Sequence, residues 1–336
     1  MNFIHFSPFV FAAIVFSALG GCFFALVWLL RRADRLPQDH PNARSLHSKS
    51  MPRIGGIGIL AGISVAIVLS YLLALLPAAL LPLMLAAFAL AVLSLLDDYL
   101  DLPAWARFLT HLAVIALFLA MMWEGAVFLF FVALLALTWM TNLFNFMDGS
   151  DGLAGGMSVM GFAAYAGLAA GQGDFSLLIF CASISAAALA FLRFNFPPAR
   201  LFMGDAGSVP LGFLAGAVGW LGWQNGVWHW AAPLLIFSPF IVDATVTLLR
   251  RGWAGEKVWQ AHRSHYYQRL VRMGWSHRRL ALTEYGVMLA TAASAAWLAY
   301  HPEAWPSLLL AWGVFYGIIM RLIDRQWQQF IVQGLR

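Results

Sequence analysis

Polar clusters punctuate a chain that is otherwise close to hydrocarbon, and their residue types suit metal and phosphate chemistry. In "LLDDYLDLPAWARF", Asp97 and Asp98 close an apolar run, and Asp101 follows four residues after Asp97, on the same face if the helix continues to Pro103. Acids at a helix C-terminus oppose the macrodipole, and three of them repel one another. A plain solvated helix end fits poorly, and a compensating cation or cationic substrate is expected. In "NLFNFMDGSDGLAGG", Asn145, Asp148 and Asp151 are spaced by three, which would cluster them on one side of a helical turn. The glycines at 149, 152, 155 and 156 allow tight backbone and close approach of a ligand. Amide and carboxylate oxygens are hard ligands, suited to Mg2+ or Mn2+ rather than zinc, although Asn, Asp and Gly are also ordinary turn formers. In "FPPARLFMGDAGS", Asp205 follows Gly204 just before another apolar run, five residues after Arg200.

Basic residues complete the inventory. "EKVWQAHRSHYYQRLVRMGWSHRR" is rich in Arg, including Arg263, and contains His262, His265 and His277. Anchoring at a membrane face and attraction to anionic lipid explain the Arg surplus but do not call for His262 and His265. His and Arg beside an acidic metal cluster suit a phosphate-bearing substrate. His277 lies outside that pair and is expected to matter little. "RSLHSKSMPRIGGIG" adds His47, Lys49 and Arg53, with glycines at the next helix start that read as a ready anion site. Asp243 lies inside an apolar run, where a functional carboxylate and one hydrogen-bonded within the bundle are equally open readings. Together these groups make a metal–diphosphate site at a bilayer surface, with a membrane-embedded acceptor reached laterally.

The elements that must position them are membrane helices. Of 336 residues, 62% are hydrophobic and 10% charged, against ~45–50% apolar in an ordinary soluble domain. Mean hydropathy is +0.78, so the solvent for most of the chain is lipid. The segment "MNFIHFSPFVF" lacks the basic region and small-residue cleavage site of a signal peptide and is expected to open a first span. Eleven spans are expected, near 7–30, 55–76, 79–96, 108–122, 126–144, 157–170, 175–192, 209–223, 231–249, 281–298 and 308–322. The apolar runs lack the alternation of a membrane barrel, so the fold class is all-α and polytopic. With the N-terminus periplasmic, the inner loops hold six, one, none, two, eight and three Lys plus Arg, all twenty in the chain. That segregation places the C-terminus in the cytoplasm and the chemistry at the cytoplasmic face of the inner membrane. The active-site loops fall near 31–54, 97–107, 145–156, 193–207 and 250–280. No polar stretch is long enough for an independent core, so residues 1–336 read as one membrane domain. Cys22 and Cys181 lie in apolar segments and read as small core residues.

In this order, "PRIGGIG", "DDYLD", "NLFNFMDGSDGLAGG", "FMGDAGS" and a His-containing last inner loop resemble the polyprenyl-phosphate N-acetylhexosamine-1-phosphate transferases, the MraY/WecA-type family. The resemblance covers Arg44 to about Arg269. It implies transfer of a sugar 1-phosphate from a UDP-N-acetyl sugar to undecaprenyl phosphate with release of UMP, at the start of O-antigen or related envelope polysaccharide synthesis. By motif position it places Asn145 and Asp205 at Mg2+ and makes Asp97 and Asp98 the catalytic pair. It makes Asp148 a substrate or metal contact and sets His262 and His265 in the catalytic loop. Lys49, Arg53, Asp101, Asp151, Arg200 and Arg263 are its expected substrate contacts. The last-loop motif of the family is commonly His-x-His-His, whereas this chain has Ser264 where a His is usual. Asp101 resembles the WecA side, and "HRSHYYQRL" is similar to the WbpL-like branch, whose members can use 6-deoxy donors such as UDP-N-acetylfucosamine or UDP-N-acetylquinovosamine. No nucleic-acid partner is expected, and the oligomeric state, a homodimer included, is open. A CDP-alcohol phosphotransferase resembles Asp-Gly-x-x-Ala-Arg, which this chain lacks. A transporter of an anionic substrate should place its polar groups near the bilayer midplane, whereas here nearly all acids sit at helix ends.

Overall fold

A computed structural model describes residues 7–32, 38–39, 50–100, 102–258, 260 and 262–334. Lys49, Asp101 and the side chain of Asp98 fall outside the described residues. The long elements are α1 (Pro8–Leu30), α2 (Gly55–Leu72), α3 (Leu81–Leu100), α4 (Ala104–Met122), α5 (Val127–Phe146), α6 (Leu153–Gly171), α7 (Phe175–Asn195) and α8 (Asp205–Gln224). Then come α9 (Ala231–Ile236), α10 (Ser238–Trp253), α11 (Tyr266–Arg272), α12 (His277–Leu298) and α13 (Trp305–Gly334). A two-residue antiparallel pair, β1 (Gln38–Asp39) with β2 (Met51–Pro52), precedes α2. A helix satisfies its own backbone within one segment, which is why runs of Leu, Ala, Phe and Val in lipid take this form.

Among the described residues, nine helices are long and apolar enough to cross a membrane. They are α1 to α8 and α13, and the protein is a multi-pass membrane protein. Of the two other expected spans, 281–298 lies within α12, whose start carries Arg278 and Arg279 and which includes Glu284. The expected span 231–249 is two helices instead. Pro239 stands at the start of α10, where a missing N–H is tolerated, and the chain breaks at Phe237. The Ser238 hydroxyl at this break donates to the Leu235 carbonyl (2.7 Å) and meets the Tyr316 hydroxyl of α13 (2.8 Å).

Helix α8 is the axis of the bundle, with 83% of its apolar window buried against 17% for α13. Large side chains such as Phe9, Phe24, Phe128 and Leu310 stay exposed on the outside, as a lipid-facing surface requires. Cys22 and Cys181 are free and buried, as core residues.

The starts of α2 and α8 meet backbone to backbone. The Gly55 and Gly56 amides donate to the carbonyls of Phe202 (2.9 Å) and Met203 (2.8 Å), and the Phe202 amide donates to the Pro52 carbonyl (2.9 Å). Arg53 and Phe202 form a parallel bridge. A Cβ on Gly56 would lie 2.2 Å from the Gly207 nitrogen, and no side chain fits there. The expected anion site at these glycines is therefore corrected, because both amides are committed to carbonyls. Gly56→Ala should lower stability by about 1–3 kcal/mol through overpacking. Gly167→Ala, where an added Cβ meets nothing within 4 Å, should leave stability unchanged or slightly raised. Thermal unfolding of the purified variants in detergent checks the contrast, and equal melting temperatures would contradict it.

Candidate active site

Helices α3, α4, α5 and α8, with the segment from the end of α10 into α11, enclose a cavity of about 810 Å3. Trp105, Phe108 and Leu109 give it an apolar wall along α4, while Asp97, Arg107, Asn145, Asp205, His262 and His265 gather in its lining. Asp97 lies in the last turn of α3. Its Oδ1 accepts the Leu102 amide (2.9 Å) and its Oδ2 accepts Arg107 Nη1 (3.0 Å). The same Nη1 stands 3.9 Å from Asp205 Oδ2, so one guanidinium compensates two carboxylates. Asp205 is the first residue of α8, where the positive end of the helix dipole favours its charge. Gly204 before it has φ +74°, a conformation that suits glycine. Asn145, at the end of α5, donates from Nδ2 to Asp205 Oδ2 (3.4 Å) and accepts the Ser208 hydroxyl at Oδ1 (3.1 Å).

The loop between α10 and α11 supplies the histidines, with ring centroids 4.8 Å apart. His262 Nδ1 takes the Ser264 hydroxyl (2.8 Å) and the Ser264 amide (3.4 Å). A backbone N–H can only donate, so this Nδ1 is the acceptor and the ring proton sits on Nε2. Burial, with the neighbouring His265 and Arg251, lowers the His262 pKa to about 4, so the ring is neutral at neutral pH. His265 is buried, and its Nδ1 lies 3.2 Å from Asp243 Oδ1.

The expected helical face through Asn145, Asp148 and Asp151 does not form, because α5 ends at Phe146 and α6 starts at Leu153. The residues between them make a turn. Asp148 donates its amide to the Asn145 carbonyl (3.2 Å). Asp151 is buried and accepts the Ala199 amide at Oδ2 (2.9 Å), so it braces the 196–204 loop and stands outside the cavity lining. Arg200 is exposed, Arg263 is partly buried, and Arg53 sits at the α2–α8 junction. None of these three lines the cavity. His277 bonds Ser150 Oγ through Nδ1 (2.7 Å), which ties α12 to this turn and gives it a structural role that its place outside the histidine pair did not suggest.

Several contributors were not singled out from sequence. Arg107 stands in the first acidic stretch, where its spacing marks it only as a loop charge. His111, one turn further along α4, also lines the cavity. Asn195 holds two loops together, accepting the Gly152 amide (2.9 Å) and donating to the Leu201 carbonyl (3.0 Å). No spacing rule marks such a residue, since its partners are backbone groups.

Residues 80–222 match the model of glycosyl transferase family 4, and this stretch contains Asp97, Arg107, Asn145 and Asp205. The chain is 32% identical over 263 residues to the "Probable undecaprenyl-phosphate N-acetylglucosaminyl 1-phosphate transferase" of Bacillus subtilis (strain 168), covering 74% of this chain and 73% of that protein. It is also similar to phospho-N-acetylmuramoyl-pentapeptide-transferases. That of Levilactobacillus brevis is 34% identical over 161 residues (47% of this chain, 48% of that protein), and that of Listeria innocua 35% over 172 residues (50% and 51%). The chain spans about half the length of these two. With the extent of the first match and the acidic residues it brings together, the chain belongs to glycosyl transferase family 4.

Proposed function

We propose that this protein transfers an N-acetylhexosamine 1-phosphate from a UDP-sugar to undecaprenyl phosphate, releasing UMP, and so starts a lipid-linked O-antigen or related envelope polysaccharide. It works as one transferase domain in the bacterial inner membrane, in which α12 and the broken pair α9–α10 add two crossings to the nine long apolar helices, with the N-terminus periplasmic and the cavity opening at the cytoplasmic face. One observation carries the reading: a single cavity joins an apolar wall on α4 to a polar set of Asp97, Arg107, Asn145 and Asp205. Such a site can take a prenyl chain from the bilayer and a sugar nucleotide from water. The name of the Bacillus subtilis relative, which specifies undecaprenyl phosphate and transfer of a sugar 1-phosphate, supports it, and the name of the Levilactobacillus brevis relative specifies transfer of a phospho-sugar group.

The donor set fits a hard divalent cation. Asp205 offers a carboxylate 28% exposed, and Asn145 Oδ1 keeps a second lone pair beyond the one that Ser208 uses. Among the described residues no three His, Cys, Asp or Glu form a cage. An ion here would be held by one or two protein oxygens and completed by substrate phosphate and water, as Mg2+ or Mn2+ accepts. A divalent ion held by Asp205 and Asn145 would supply charge neutralisation for the diphosphate and its leaving group. Asp97, held by the Leu102 amide and Arg107, orients the acceptor beside it. Neutral His262 contacts the donor through the N–H at Nε2 as a hydrogen-bond donor without net charge. Asp205→Asn should cut turnover by more than ~10²-fold, as loss of one preorganised charge contact does, with yield and melting temperature preserved. Activity should vanish in EDTA and return with Mg2+ or Mn2+. Full turnover in chelator would refute the metal role.

The chemistry is direct displacement. An acceptor phosphate oxygen attacks the sugar-bearing phosphorus and the bond to UMP breaks. A phosphate monoester has its second pKa near ~6, so the acceptor is largely dianionic at neutral pH and no net proton moves. It needs positioning and charge neutralisation more than a strong base. A covalent carboxylate route would release UMP in a stoichiometric burst without lipid. Direct displacement predicts no burst in protein stripped of undecaprenyl phosphate, and a full burst would exclude it.

For the sugar, Ser264 in place of the usual His and the "HRSHYYQRL" likeness favour a 6-deoxy donor, UDP-N-acetylfucosamine or UDP-N-acetylquinovosamine. The name of the Bacillus subtilis relative favours UDP-N-acetylglucosamine as the second reading. A panel of UDP-N-acetyl sugars with undecaprenyl phosphate, scored by kcat/KM, should rank a 6-deoxy donor first. Transfer from UDP-N-acetylglucosamine with none from either 6-deoxy donor would reverse the order.

A further inference from the structure

Asp243 is buried on α10, and four donors converge on its carboxylate. Oδ1 accepts the Tyr266 amide (3.0 Å), the Thr247 hydroxyl (3.1 Å) and His265 Nδ1 (3.2 Å), while Oδ2 accepts the Tyr267 amide (3.0 Å). A carboxylate that accepts two backbone N–H groups acts as an acceptor, so the proton shared with His265 is carried by Nδ1. The ring is clamped between Phe146 (centroids 6.2 Å apart, planes 26°) and Tyr267 (5.9 Å, 21°). Tyr267, held at its amide by Asp243, donates its hydroxyl to the Phe146 carbonyl (3.0 Å), and its Oη lies 2.2 Å from where a Cβ on Gly149 would be. One carboxylate therefore sets the register of α11 against both the histidine loop and the turn that carries Asp148.

We propose that Asp243 is the positioning residue of the site: it fixes the proton of His265 on Nδ1 and holds that ring at the cavity with Nε2 free for the donor substrate. His265 lines the cavity; its Nδ1 faces Asp243 and its amide donates to Gln268 Oε1 (3.3 Å). The inference rests on the transfer reading above for what Nε2 meets, but not for which nitrogen carries the proton. A carboxylate behind a working imidazole settles the tautomer and orientation of the ring, and loss of such an outer partner commonly costs ~10–100-fold.

The test combines kinetics and spectroscopy on the full chain in nanodiscs. Asp243→Asn should lower kcat/KM for the UDP-sugar by ~10–100-fold. In a His265→Ala background the same change should cost less than about 3-fold, because the residue through which it acts is gone. An equal loss in both backgrounds would show that Asp243 acts through the fold at large and would overturn the proposal. Nitrogen chemical shifts of 15N-labelled histidine, assigned with His265→Ala, should show the wild-type proton on Nδ1 of His265. A proton on Nε2 overturns the proposal without Asp243→Asn, so the test survives if that variant does not fold. Wild-type protein that transfers from no UDP-sugar would sink the functional reading, and the shifts would still decide the role of Asp243.

Discussion

Two amides donating to two carbonyls, Gly55 to Phe202 and Gly56 to Met203, hold the site end of the bundle together. Backbone that leaves helical form at the edge of a membrane must find partners within the protein, because hydrocarbon supplies none. Here the loop before α8 finds them on the first turn of α2, and the absence of side chains at Gly56 and Gly207 brings the strands of backbone close enough. The first residue of α8 is Asp205, so fixing this junction fixes where the carboxylate stands. Asn145 reaches it from α5 and Arg107 from α4, and each arrives from a helix packed against its neighbours rather than from a free loop. A site built in this way costs little conformational entropy when substrate binds.

The other acids follow the same logic for different ends. Asp151 and Asp243 accept backbone amides, as does the side-chain carbonyl of Asn195; Asp151 and Asn195 tie the 147–152 turn to the 196–204 loop, and Asp243 ties α10 to α11. Their worth is in the amides they satisfy, since an unpaired buried donor costs about 1–3 kcal/mol. Asp97 and Asp205 instead share a guanidinium that is 42% exposed. An ion pair that wet adds little stability. Its effect is to keep two like charges tolerable at the mouth of one cavity.

What was legible in the sequence follows from the range of each signal. Span positions were readable because lipid demands about twenty apolar residues in a row, and α1 to α8 lie where those runs fall. The break between α9 and α10 was hidden, because Pro239 sits in a run that stays apolar on both sides. Three-residue spacing suggested one helical face for Asn145, Asp148 and Asp151, but the glycines that loosen this stretch end α5 at Phe146. Arg107 and Asp97 are ten residues apart across a proline, a separation that no periodicity rule links. Asp243 remained open because two of its four partners are main-chain amides 23 and 24 residues away, which have no side-chain identity to read, and a third is a histidine 22 residues away, a separation that no periodicity links.

Ser264 joins the local geometry to recognition. Its amide and hydroxyl both point at His262 Nδ1, which drives that proton to Nε2, while Asp243 draws the proton of His265 to Nδ1. Two rings 4.8 Å apart are thereby set in opposite tautomers, one with an N–H and the other with a lone pair at Nε2. A third histidine, at position 264, would remove the hydroxyl and add a ring that could take either tautomer. The serine therefore narrows the polar pattern that the loop can show to a ligand, giving one donor and one acceptor in place of three interchangeable imidazoles. Under the transfer reading proposed above, such a pattern would discriminate among sugars by which hydroxyl it satisfies and which it leaves unpaired, because an unpaired buried polar group is the most expensive mismatch a site can impose.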